Sequence, residues 1–267
     1  MKNKILKHIG LTAGIIAMGW MTASCIFQTE KLKSTGITAT RALNLPAFDK
    51  LHAAYNYQVE LIPSQKDSLY VETDSALMPY LRIQCENGTL VLDLDIRIRM
   101  DDAEIKAKLF CQKLERIRCS GASAVTSQDT LQAENLEIKL SGASYARLPL
   151  KAKQLQVECS GASQFGGYCE ADQAGIQLSG ASLANPEGHI RQGAVVLSGA
   201  SHFKNRDMAF DRLAITASGA SNAHVTVLAD LEAKASGASS VHYYGNPETD
   251  IATSGGSSVK AESEGIQ

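Results

Sequence analysis

Leu155-Gln156-Val157-Glu158-Cys159-Ser160-Gly161-Ala162-Ser163-Gln164-Phe165 is the stretch on which the reading of this chain turns. Its centre, Ser-Gly-Ala-Ser, begins also at Ser120, Ser141, Ser179, Ser198, Ser218 and Ser236, and a Ser-Gly-Gly-Ser variant begins at Ser254. Successive copies lie 21, 19, 19, 19, 20, 18 and 18 residues apart. Self-similarity at such a period marks a solenoid, in which each repeat is one supersecondary unit.

The flanks say which solenoid. Three residues before each motif stand Ile117, Ile138, Val157, Ile176, Val195, Ile215, Ala233 and Ile251, and directly before it Cys119, Leu140, Cys159, Leu178, Leu197, Ala217, Ala235 and Thr253. The residues between them are mostly polar, which is the period-two alternation of a half-buried strand rich in β-branched side chains. Two residues past each final Ser come Val125, Ala146, Phe165, Ala184, Phe203, Ala223, Val241 and Val259, a second inward position. Short strands repeating at identical spacing predict a right-handed parallel β-helix from about Gln112 onward. At about 4.8 Å per coil, seven intervals give a stack of roughly 34 Å. Ile138, Val157, Ile176 and Val195 should form one interior column. Cys119 and Cys159, two rungs apart in one column, should lie about 10 Å apart and form no disulfide. An unbroken strand would point the motif's Gly and second Ser inward; a corner at Gly would reset this, and the residues leave both open. In either case bulky groups in a column of small ones would clash with their copies.

Residues 36–111 lack the motif but read as a β-rich N-terminal cap. Tyr55–Ile62 alternates, Leu69–Val71 is a short strand, and Ile105–Phe110 is another. Leu81–Asp95 reads as a hairpin turning at Glu86-Asn87-Gly88. We expect a β layer continuous with the solenoid. Lys31–Gly36 is polar and reads as a short tether.

The first 24 residues read as an export signal: Lys2, Lys4 and Lys7, then an uncharged stretch from Ile9 to Met21. Thirteen residues are too few to span a bilayer as a helix, which takes about 20, but they suit a signal-peptide core. Thr22-Ala23-Ser24-Cys25 then resembles a bacterial lipobox, with Thr22 where Leu is usual. Cys25 is therefore the expected lipidation site, residues 25–35 a lipidated tether, and the cell envelope the expected address. Five other cysteines remain, with neither Cys-x-x-Cys nor Cys/His spacing for zinc. They read mostly as small buried apolar side chains.

From Cys25 onward 23 basic residues face 28 acids. That balance excludes a generic nucleic-acid binder, which needs clustered Lys and Arg. With 44% apolar and 20% charged residues, wholesale disorder is excluded too. Three residues past each final Ser runs the column Thr126, Arg147, Gly166, Asn185, Lys204, His224, His242, Lys260. Within it Arg147, Lys204, His224, His242 and Lys260 form a candidate binding stripe that could meet an anionic glycan or lipid head group; an ordinary solvated face is the plainer reading. His224 and His242 should stack about 5 Å apart on adjacent rungs, but as a metal site they lack carboxylates in the same column. Glu137, Glu158, Glu232 and Asp250 share no column on adjacent rungs, and Asp207 and Asp211 lie on one connection, so the paired carboxylates of a glycosidase are not in view. None of the sixteen motif serines has a His and an acid in a repeated relation to it. No catalytic, metal or cofactor motif is found.

The tail Ala235-Ser-Gly-Ala-Ser-Ser240-Val-His-Tyr-Tyr-Gly245-Asn-Pro247, followed by Ser254-Gly-Gly-Ser-Ser258-Val-Lys260, resembles the GIN-domain family, the putative auto-transporter adhesin heads of Bacteroides-like bacteria. Phe48-Asp-Lys-Leu51 with Val59-Glu60-Leu61 is similar to that family's opening, and Gly88-Thr-Leu90 to its hairpin. The resemblance covers about residues 40–260 and implies a β-helical envelope protein concerned with adhesion. The expected function is a non-catalytic envelope lipoprotein that binds an extended polysaccharide or a surface protein; a structural spacer is the alternative and a polysaccharide-processing enzyme the least favoured. Little chain follows Ser254–Ser257 to cover an open edge, so the last coil is expected to be either a homo-oligomer surface or a frayed acidic end.

Overall fold

The computed structural model describes residues 30–95, 98–101 and 104–263. The signal segment and Cys25 lie outside these. Parallel pairing aligns Ile117 with Ile138, Val157, Ile176, Val195, Ile215, Ala233 and Ile251, one rung after another. All but the last are at most 2% exposed. This is the column expected from spacing alone, and the chain is a parallel β-helix. Each coil contributes three inward segments, seen at Leu155–Cys159, at Phe165, and at Cys169–Ala171. Their apolar side chains form the core.

The stack runs further toward the N-terminus than the motif does. Lys50–Ala53 pairs with Arg116–Cys119, and Tyr57–Pro63 with Ala124–Ser127. Outside that coil lies another, made by Thr89–Leu94 and Ile105–Cys111. Residues 50–63 are therefore clamped between the repeat and a later segment, so coil order and chain order differ here. Antiparallel strands close the outermost coil: Leu81–Glu86 on Thr89–Leu94, Ser68–Asp74 on Ile105–Cys111, and Thr38–Asn44 beyond. They cover a sheet edge that would otherwise invite pairing with other chains. Asn87 (φ +50°) and Gly88 (φ +72°) make the hairpin turn with both central residues left-handed, as a type I′ turn needs. The polar segment expected to be a tether is tied down instead. Glu30–Lys31 pairs with Ile98–Arg99, and the Asp74 carboxylate accepts from Ser34 Oγ at 2.7 Å, Thr35 Oγ1 at 2.8 Å and Gly36 N at 3.1 Å. Ser34 Oγ first, then Ala76 N and the hydroxyl and N–H of Thr35, lower the Asp74 pKa to about 2.

The motif is the corner. Its Gly sits at φ +68° to +73° in all eight copies, and Gly and Ala face solvent while the second Ser is at most 1% exposed through Ser239. The left-handed Gly thus resets the alternation. Both serines hold the coil to its neighbour: the Cys159 carbonyl accepts from Ser179 N at 2.9 Å, Ser179 Oγ at 3.3 Å and Ser182 Oγ at 3.4 Å. The pattern recurs on Cys119, Leu140 and Leu178. Ser221 departs from it, its buried Oγ having no hydrogen-bond partner among the described residues. Ser182→Ala should therefore cost about 0.5–1.5 kcal/mol, while Ser221→Ala should be near neutral. Urea denaturation of the two variants tests the contrast, and equal losses would refute this role for the hydroxyls.

Cys119 and Cys159 align through Leu140, and the five described cysteines are free thiols. Burial pushes Cys119, Cys159 and Cys169 up to about 12 and Cys111 to about 11. These are protonated packing groups, not nucleophiles.

Candidate binding surface

The face that follows each corner carries two outward columns. One runs Ala124, Tyr145, Gln164, Leu183, His202, Asn222, Ser240, Ser258. The other is the stripe expected from the repeat: Thr126, Arg147, Gly166 and Asn185 align in register, as do Lys204, His224, His242 and Lys260. Between Asn185 and Lys204 the pairing is interrupted by an irregularity that spans Ala184–Gly188 and Phe203–Met208. The 20-residue interval places its extra residue there, and Asn205 Oδ1 accepts from Asp207 N at 2.9 Å across the bulge.

On the other faces many charges pair across rungs, though Arg118, in register with Lys139, does not. Along one corner Lys151 pairs with Glu170 at 2.6 Å, Lys153 with Glu134 at 2.6 Å, Arg191 with Asp172 at 3.5 Å and His189 with Asp211 at 2.9 Å. On the face before the motif Glu137 meets both Arg116 and Lys139, and Lys139 also reaches Glu158 at 3.2 Å. Opposite signs on adjacent rungs suit an in-register stack, where like charges would face one another. By contrast, Arg147, Lys204 and Lys260 pair with no carboxylate among the described residues.

His224 and His242 stack as their spacing requires, with ring centroids 4.7 Å apart and planes 6° off parallel. Neither is fully solvated, and the pair is not without an acid: His242 Nδ1 lies 2.6 Å from Glu262 Oε1. Glu262 lies two residues beyond Lys260, outside the eight-position column, which is why the repeat did not show it. Two parallel rings at this separation stack face to face rather than converge on one ion, and among the described residues no three of His, Cys, Asp and Glu form a metal-holding group. Desolvation, then the charge of His242, lowers the pKa of His224. The folded protein therefore binds this proton less readily than the unfolded chain. The stability this gives is present above about pH 6.5 and is lost as pH falls through the folded-state value. His224→Gln should thus flatten the fall in thermal midpoint between pH 7.5 and 5; an unchanged slope would remove His224 as its source.

Two carboxylates expected to share no column on adjacent rungs do share one. Glu232 and Asp250 are direct neighbours in register, four residues before their motifs. Both side chains are exposed, and Lys234 Nζ holds Glu232 at 2.6 Å, so their carboxylates flank no cleft. Asp207 and Asp211 lie within one strand, His202–Ala217, and Asp211 bonds His189.

Fold and surface together define a parallel β-helix with a partly basic stripe along the face that follows its corners. The chain belongs to the family described as putative auto-transporter adhesin, head GIN domain, whose model matches residues 47–247. Comparison with curated proteins finds no match. Three similar solved structures share the fold. A putative adhesin from Parabacteroides merdae has a TM-score of 0.81 at 16% identity, covering 88% of this chain and all of that one. A putative adhesin from Parabacteroides distasonis has a TM-score of 0.82 at 17%, covering 87% and 100%. A putative lipid binding protein from Parabacteroides distasonis has a TM-score of 0.79 at 18%, covering 88% and 100%.

Proposed function

We propose that the chain is a non-catalytic adhesin module of the cell envelope that binds an extended anionic polysaccharide along its basic stripe. The observation that carries this reading is the column of Arg147, Lys204, His224, His242 and Lys260 on a face whose permanent cations have no acidic partner among the described residues. Cations on a rigid stack suit a polymer that bears charge at regular intervals. The adhesin-head family points the same way.

Polygalacturonate is a direct probe. Each contact between exposed opposite charges contributes about 0.2–1 kcal/mol, so replacing Arg147, Lys204 and Lys260 together by Ser should weaken binding about tenfold. Binding should also weaken with salt and strengthen as His224 gains its proton, which its lowered pKa places below the ordinary histidine range. Equal binding by the triple variant, or indifference to salt, would sink the reading.

Attachment is proposed to run through acylated Cys25. Each buried CH₂ adds about 0.8 kcal/mol, so several chains together hold firmly. Cys25→Ala should move the protein from the detergent phase to the aqueous phase in cloud-point partitioning. A wild-type protein that is itself aqueous, with Cys25 absent or unmodified, would refute the anchor. The strand Glu248–Thr253 is exposed along its length and pairs only with Asn222–Ala235 among the described residues; a second copy would pair there, which sedimentation at several concentrations tests.

A further inference from the structure

The basic stripe is interrupted at Gly166, and the interruption is a cavity. A notch of about 240 Å³ opens there, lined by Tyr145, Arg147, Gln164, Asn185, Glu187 and Asn205. Two glycines meet at this point, and only one is explained by the backbone. Gly167 sits at φ +110°, and a Cβ on it would come 2.5 Å from the Leu148 carbonyl oxygen, so the corner demands it. Gly166 is less constrained: its φ is ordinary, and a Cβ would stand 3.3 Å from the Asn185 carbonyl oxygen, a tight contact that a shift of a few tenths of an ångström relieves. Its neighbours in the column, Arg147 and Asn185, both carry large side chains. What the missing side chain provides is space.

The lining is chemically mixed and uncommitted. The side chains of Arg147, Gln164, Asn185 and Glu187 make no hydrogen bond or ion pair among the described residues. The larger groove of about 610 Å³ around Lys151, Glu170 and Asp172 is different, because its charged groups are bonded to one another. At 240 Å³ the notch falls below the roughly 300 Å³ lower bound of ordinary small-molecule pockets, which suits a single ring rather than a whole oligomer.

We propose that the notch is a subsite for one hexuronic acid ring of an anionic polysaccharide, an inference that rests on the stripe reading above. Arg147 offers a planar donor fork for the ring's carboxylate. Glu187 accepts from ring hydroxyls, and the carboxamides of Gln164, Asn185 and Asn205 both donate and accept. The half-buried Tyr145 ring gives an apolar face for the C–H side of the sugar. A bare sulfate or phosphate would gain from Arg147 but be repelled by Glu187, so the set selects a hydroxylated acid over a simple anion.

Trigalacturonate tests the subsite and long polygalacturonate tests the stripe. Calorimetry on the wild-type protein should show binding of the trimer, with maltotriose at least tenfold weaker. Gly166→Asn fills the notch with a side chain type the column carries at Asn185, and Glu187→Ala removes the acceptor at an exposed position. Each should weaken trimer binding at least tenfold while the thermal midpoint and salt-sensitive binding of the polymer persist. Trimer binding unchanged in both variants, or absent in a wild-type protein that holds the polymer, removes the subsite and leaves the stripe. Loss of both ligands in the wild type removes both.

Discussion

Replacing Gly161 by valine is expected to lower the thermal midpoint by roughly 6–12 °C. Gly161 lies at φ +70°, and any Cβ there would sit 2.8 Å from the carbonyl oxygen of Gly142 in the preceding coil. That carbonyl already accepts from Ala162 N at 2.8 Å, so it has no freedom to retreat. Left-handed backbone costs a non-glycine residue about 1–3 kcal/mol, and a β-branched side chain is worse placed than most. With the carbonyl clash added, the total should reach about 3 kcal/mol or more, and each kcal/mol moves the midpoint of a chain of about this size by about 2–4 °C. The site is exposed, so neither buried volume nor a lost apolar contact enters. Gly166→Asn, five residues on, is the built-in control: same coil, same residue replaced, ordinary φ, a Cβ contact of 3.3 Å in place of 2.8 Å, and a smaller expected loss. A Gly161→Val protein as stable as the wild type would mean that the corner can be made without glycine.

The N-terminal coils show that it can be, once, and why the sequence did not reveal them. Ser120 N bonds the Ala53 carbonyl at 3.0 Å as Ser141 N bonds Cys119, so Ala54-Tyr55-Asn56-Tyr57 occupies the place of Ser-Gly-Ala-Ser. Tyr55 takes the glycine's position at φ +60°, and Tyr57, fully buried with its hydroxyl on the Asp93 carbonyl, takes that of the second serine. The corner geometry survives while every letter of its signature is lost, so a repeat search stops at Ser120. Where the letters persist, the columns were legible, because in-register stacking makes equal spacing equivalent to contact. The same logic placed His224 on His242 without any coordinates. It failed for groups outside the period: Glu262, beyond the last motif, and the irregular segment Lys204–Asp207 beside the notch. The serines were legible as a pattern but not as hydrogen bonds, since small size alone accounted for them until the second serine proved to be buried. Gly166 was visible as a gap in the stripe; that its neighbours' side chains make the gap a lined cavity depends on the bulge, which spacing does not position.

Phe203→Ala should be the most damaging truncation in the core, at about 3–5 kcal/mol. The inward column after the corners reads Val125, Ala146, Phe165, Ala184, Phe203, Ala223, Val241, all at most 2% exposed. Large and small residues alternate through its middle, so that each phenyl ring has an alanine on the rung at either side. Phe203 also meets Phe210 across the interior, centroids 6.3 Å apart and planes tilted by 50°. Truncation would leave three small residues in succession and strip one face of Phe210, a void that a stack of hydrogen-bonded coils has little means to close. Ala184→Phe makes the opposite error, three rings on consecutive rungs, and should cost about 1–3 kcal/mol by overpacking. If the column works by alternation, the double variant should be more stable than the sum of the single losses implies, because it conserves total volume. Simple additivity would show that each side chain answers only to its own rung. The consequence should also be local in space. In a solenoid each coil is stabilised chiefly by its immediate neighbours, so in Phe203→Ala the amides of residues 184–223 should exchange faster with solvent while those of 136–140 keep their protection. Uniform acceleration along the chain would instead mean that the stack opens as one cooperative unit.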